Sequence, residues 1–89
     1  MTVNEYNELF DQLCYGHEAE ILYKGNRYFF EWDTLKITIY KITHEEGVKV
    51  ADIVGKDRIT IVDELFNLPV WNNNPLNKEY INIEIADIE

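Results

Sequence analysis

The residues with distinctive chemistry to offer are one cysteine, two histidines and a surplus of carboxylates. Cys14 and His17 stand three apart, and His44 sits in the run Thr43-His44-Glu45-Glu46-Gly47. A metal site needs two to four His, Cys or acid ligands at workable spacing, and a nucleophilic site needs Ser, Cys or Thr beside a base. Gly16 breaks any helix between Cys14 and His17. Cys14 itself falls on an apolar stripe, where burial keeps a thiol protonated and inert. The chain has no serine, and its four glycines, at 16, 25, 47 and 55, never cluster into a phosphate-cradling loop. Its 17 acids offer many carboxylate pairs, yet 89 residues rarely build a cleft that encloses a sugar. The expectation is therefore a protein that is not an enzyme, with no catalytic residue, metal or cofactor.

The carboxylates carry more information through their distribution. Lys plus Arg is 8 against 17 Asp plus Glu, a net charge of -9 with both histidines neutral. Residues 1–23 hold five acids and no base, residues 24–58 six acids and seven bases, and residues 59–89 six acids and one base. Both ends are acidic and the middle is balanced. This argues against a direct grip on nucleic-acid phosphates, which takes a basic face, and against an anionic membrane surface. If the two ends meet in space their fields add and steer a basic partner toward them. The alternative is that acidic surface only keeps a small protein in solution.

The elements that must position these groups are legible from periodicity. Thr2-Val3-Asn4-Glu5 is a capping box, and Tyr6, Leu9, Phe10, Leu13 and Cys14 form one apolar helical stripe. A helix over 3–15 follows, stopped by Gly16, with Glu5, Glu8 and Asp11 unaccompanied by any base. Glu18 to Trp32 reads as a β-hairpin turning at Lys24-Gly25-Asn26, with Tyr28, Phe30 and Trp32 on one face and Phe29 on the other. Residues 36–42 form a third strand and 48–54 a fourth. Thr60 to Leu68 reads as a short second helix capped by Thr60, with Asp63 in the box position and Pro69 as its stop. Trp71 to Leu76 is an Asn-rich loop, and Tyr80 to Ile88 a last strand with Ile81, Ile83 and Ile85 alternating. Tight turns imply a mainly antiparallel sheet. The predicted fold is a single α+β domain over 1–89. An N-terminal helix packs on four or five strands, and a short second helix precedes the last strand.

One cysteine cannot form an internal disulfide, no apolar run of about 18 residues is present, and the first residues lack the character of a leader. A cytoplasmic setting is expected. The run from Gly16 to Phe30, together with Pro69-Val70-Trp71-Asn72-Asn73-Asn74-Pro75-Leu76, resembles small accessory proteins of low-GC Gram-positive bacteria and their phages. The resemblance covers about half the chain and departs at Asn73-Asn74-Pro75. It supplies no catalytic residue; it implies a setting in which small acidic proteins block a host or defence protein.

The sequence reading is thus a non-enzymatic acidic module that docks on a basic protein surface, one that holds nucleic acid, by mimicking phosphates. Its candidate contact residues are Glu5, Glu8, Asp11, Glu18, Glu20, Asp63, Glu64 and Trp71, the last a loop aromatic that reads equally as a lid over the core. Two rivals stand beside it. One is a self-associating protein, a homodimer through an exposed strand edge or Phe29. The other is a small-ligand binder of nucleotide type, which would need Arg27, Lys36, Lys41, Lys49 and Arg58 to converge.

Overall fold

Thr2 opens the first helix as its sequence requires: its hydroxyl accepts the Glu5 N–H at 3.1 Å, and the Glu5 carboxylate accepts the Thr2 N–H at 2.9 Å. In the computed structural model, which describes all 89 residues, helix α1 spans Val3–Cys14. Gly16 follows the end of the helix at φ +92°, a conformation that disfavours a side chain. Strands β1 (Ala19–Tyr23), β2 (Asn26–Asp33), β3 (Lys36–Thr43) and β4 (Glu46–Val54) then run as a meander through three two-residue turns. The first turn places Lys24 and Gly25 at positive φ, which matches the right-handed twist of the flanking strands.

Helix α2 covers Arg58–Asn67, a short helix α3 covers Leu76–Glu79, a single 3-10 turn covers Tyr80–Asn82, and strand β5 covers Ile83–Ile88. The order across the five-stranded antiparallel sheet is β4-β3-β2-β1-β5. The expected α+β architecture holds, with five strands and a helix before the last. Since β5 returns beside β1, the two acidic ends of the chain do meet. The Met1 α-ammonium donates to the Tyr80 carbonyl at 2.8 Å and to the Ile83 carbonyl, and Glu89 N–H donates to Glu18 at 2.8 Å.

Register divides the sheet into two faces. One face carries Ala19, Ile21, Tyr23, Phe30, Ile37, Ile39 and Ile53 against the helices. Leu9 and Leu13 of α1, and Ile61, Val62, Leu65 and Phe66 of α2, close the core from above. Phe66 joins the two helices: Tyr6 lies 5.3 Å and Phe10 5.2 Å from its ring. Burying each such side chain contributes about 1.5–3 kcal/mol. The other face is covered by no element. There Leu22, Phe29, Tyr40 and Ile42 are half-buried and Thr38 is buried, and the same face carries the Arg27–Glu20 (2.6 Å) and Lys49–Asp52 (3.0 Å) ion pairs.

Four local expectations are corrected. Asp57, not Thr60, caps α2: its carboxylate accepts the Thr60 N–H at 2.8 Å, which makes Thr60 the third helical residue and leaves Asp63 outside any capping box. The fourth strand begins at Glu46, because His44 and Glu45 both accept positive φ and close a tight turn. The last strand begins at Ile83, not Tyr80; the 3-10 turn leaves Ile81 67% exposed, so its alternation with Ile83 and Ile85 is not that of a strand. The segment from Trp71 to Asn74 is a miniature hairpin. The two residues exchange N–H···O bonds of 3.1 and 3.0 Å around Asn72 and Asn73, both at positive φ.

Candidate functional site

The apolar stripe of α1 faces the core, so helical geometry sends Asn4, Glu8 and Asp11 away from it. On α2 the buried set Ile61, Val62, Leu65 and Phe66 likewise leaves Asp63 and Glu64 in solvent. The helices are neighbours through Phe66, and the charge of Asp63 is felt on α1: after burial, it is the next cause holding the Tyr6 hydroxyl above its ordinary pKa of 10.0. Glu8, Asp11, Asp63 and Glu64 therefore occupy the outer surface of one helix layer. Neither of the two ion pairs in the structure includes any of them.

The one base on α1 or α2 is Arg58, and it is drawn to the end of the layer. Its guanidinium lies 5.7 Å from the Trp32 ring and presses on Gly16, where a Cβ would stand 2.8 Å from its Cζ. It thus sits near the carbonyl end of α1, whose last turn has no base of its own.

The remaining expected contact residues have other places. Glu5 is exposed, but its carboxylate is engaged in the α1 cap; that backbone bond is the first cause of its lowered pKa. Glu18 accepts the Trp32 N–H at 2.9 Å and so pins the start of β1 to the end of β2. Glu20 pairs with Arg27 on the uncovered face of the sheet, the side opposite the helices. Trp71 is 2% exposed and is a core residue: it meets Tyr23, Tyr28 and Phe30 edge-on at 5.5, 5.0 and 6.3 Å. The miniature hairpin turns this indole inward, and nothing in the local Asn-rich sequence signals that. Glu18, Glu20 and Trp71 leave the candidate surface as a result.

The charge distribution follows the topology. The acidic segments form α1, β1 and β5 at one end of the sheet and most of α2, which packs over β3 and β4; the balanced segment 24–58 forms β2, β3 and β4. On β5 the exposed acids are Glu84 and Asp87, with Glu89 just beyond.

Other groups of chemical interest stay apart. Burial, then Asp11, pushes the Cys14 thiol above its ordinary pKa of 9.0, which lowers its nucleophilic fraction. No group of three or more His, Cys, Asp or Glu side chains is placed to hold a metal ion. Arg27, Lys36 and Lys49 lie on the uncovered face, Lys41 on the helix-facing side and Arg58 on α2, so the five bases do not converge. The larger surface hollow, of about 740 Å³, is an open groove between Glu5, Leu22, Lys24, Ile81 and Glu84. The smaller, about 290 Å³, lies over Thr38 and Tyr40, with Glu31, Asp33 and Lys36 at its rim. No helix is long and apolar enough to cross a membrane. Comparison with protein-family models, curated proteins and solved structures finds no match to this chain.

Proposed function

We propose that this chain is a non-enzymatic acidic protein-binding module whose helix layer docks on a basic surface of another protein, one that ordinarily holds nucleic-acid phosphates. The observation that carries the reading is the group Glu8, Asp11, Asp63 and Glu64: four exposed carboxylates on two adjoining helices, none in an ion pair. Carboxylates that serve only solubility are ordinarily interspersed with bases. Here the acids of α1 have no base on their own helix. The half-buried Tyr6 and Phe10 rings along the α1–α2 seam lend apolar area beside the charge, the composition of a protein interface. The net charge of -9 speeds encounter with a cationic partner. The resemblance noted from the sequence adds a setting, a phage or mobile-element inhibitor acting on a host or defence protein in the host cytoplasm.

The experiment is capture of partners from lysate of the native host by the immobilised protein, beside a variant with Glu8, Asp11, Asp63 and Glu64 changed to Lys. All four are exposed and outside the caps, so the fold is retained and is checked by circular dichroism. The expected result is a basic, nucleic-acid-binding protein that is eluted by duplex DNA and by salt, and is lost with the variant. Retention in about 1 M NaCl, or equal capture by the charge-reversed variant, overturns the reading.

A further inference from the structure

The two edges of the sheet are guarded differently. β5 bears Glu84 and Asp87, with Glu89 just beyond and no base, so two copies meeting there would set carboxylate against carboxylate. β4 is the longest strand, nine residues, with no proline and no strand beyond it. It exposes Val48 (54%), Val50 (40%) and Val54 (68%), and its charges, Glu46, Lys49 and Asp52, are of both signs. An edge strand ordinarily carries charge or proline against unwanted pairing, and apolar side chains there invite it.

The bulge in β4 makes this edge complementary to itself. Residues three apart on a regular strand face opposite sides of the sheet. Register shows Val50 as the extra residue, with Lys49 opposite Tyr40 and Asp52 opposite Thr38, so both stand on the uncovered face. Within one chain, Lys49 Nζ and Asp52 Oδ2 are 3.0 Å apart. Place a second copy antiparallel, with a two-fold axis between Val50 and Ala51. Each Lys49 then lies opposite the other copy's Asp52, and each Val48 opposite the other copy's Ile53 on the helix-facing side.

We propose that the occupant of this edge is a second copy of the chain, paired through β4 in that register. The strand charges favour this edge over β5. The mixed-sign strand β4 meets its copy at the centre, and the acidic α1, β1 and β5 lie at the two far ends, where screening weakens their repulsion; of the acidic elements only α2, with Asp63 and Glu64, packs over β3 and β4. A two-fold axis perpendicular to the sheet puts both helix layers on one side of a ten-stranded sheet. The carboxylates of the two copies are then displayed together. This pairing stands independently of the partner proposed above, because β4 holds none of the four carboxylates on the helices.

The test is sedimentation of the intact chain from about 50 nM to about 100 µM, with hydrogen exchange at both ends of the range. The expected result is a concentration-dependent shift from 10.6 kDa to twice that mass, with added amide protection confined to Gly47–Val54. Lys49→Asp alone and Asp52→Lys alone each raise the dimer Kd at least about tenfold, and the two together restore it, because opposite charges again face across the axis. Val50→Lys, which sets cations together at the axis, also raises the Kd. Circular dichroism confirms that each variant is folded. A monomer at the highest concentration overturns the proposal, as does a dimer indifferent to all four variants or one whose added protection falls on β5.

Discussion

The indole Nε1 of Trp32 donates a 3.0 Å hydrogen bond to the carbonyl of Leu13, joining the end of the second strand to the last turn of the first helix. The same indole carries the Arg58 guanidinium on its ring. Three segments distant in the chain thus converge on one half-buried side chain. Replacing it with phenylalanine keeps a ring but deletes the donor, and Leu13 keeps only its bond from the Gly16 N–H. Trp32→Phe is expected to lower stability by about 1–2 kcal/mol, read as a fall in thermal midpoint of roughly 4–16 °C. An unchanged midpoint would show that the bond carries no net stability.

A second prediction concerns Tyr23. Its hydroxyl is the one buried side-chain polar atom without a hydrogen-bond partner, enclosed where its ring meets Trp71 and Tyr28. A buried donor without a partner has lost its water and gained nothing in return. Tyr23→Phe removes that penalty and retains the ring, so urea denaturation should show a gain of up to about 1 kcal/mol. A loss would mean that the hydroxyl has a partner in solution.

Acid stability follows from the two helix caps. Glu5 is held below its ordinary 4.5 and Asp57 below its ordinary 3.8, each first by its bond to backbone N–H, of Thr2 and Thr60 respectively. Lowered values mean that the unfolded chain takes up these protons first. Their contribution is complete above about pH 4.5 and drains away as pH falls through the lowered folded values. Denaturation at pH 7 and pH 3 should show this loss. Glu5→Gln and Asp57→Asn, which keep acceptors but cannot ionise, should each flatten the acid limb, and an unaltered slope would refute the assignment.

The turn between β3 and β4 holds His44 at φ +50° and Glu45 at φ +69°, a left-handed pair built without glycine or asparagine. Both side chains are exposed and make no hydrogen bond that would offset the strain. Changing the pair to Asn-Gly, the sequence this turn type prefers, should raise stability by about 1 kcal/mol. A drop in the denaturation midpoint would show that the native side chains hold the turn by contacts of their own.

Local patterns were enough for α1 and the first hairpin, though not for the cap of α2, where Asp57 and not Thr60 supplies the acceptor. The Thr2–Glu5 box and the stripe from Tyr6 to Cys14 predict α1 almost to the residue. Glycine at 25 and the alternation around it predict the first hairpin. The same applies to the outward placement of Glu8 and Asp11, since a helix with one apolar face has only one other face to offer. Where the deciding contact is distant, local pattern left the choice open or pointed the wrong way. Trp71 reads equally as a loop contact or a lid over the core until Tyr23 and Tyr28, more than forty residues earlier, close around it. Ile81 continues an alternation that ends where α3 and the 3-10 turn carry the chain back toward Met1. Glu20 belongs to the acidic N-terminal segment, yet pairing of β1 with β2 turns it to Arg27 on the far side. The joining of α1, β1 and β5 into one acidic end is likewise tertiary. Charge along a chain is read directly from composition, but which charges share a surface depends on strand order, and strand order is chosen by burial of a core that no single segment contains.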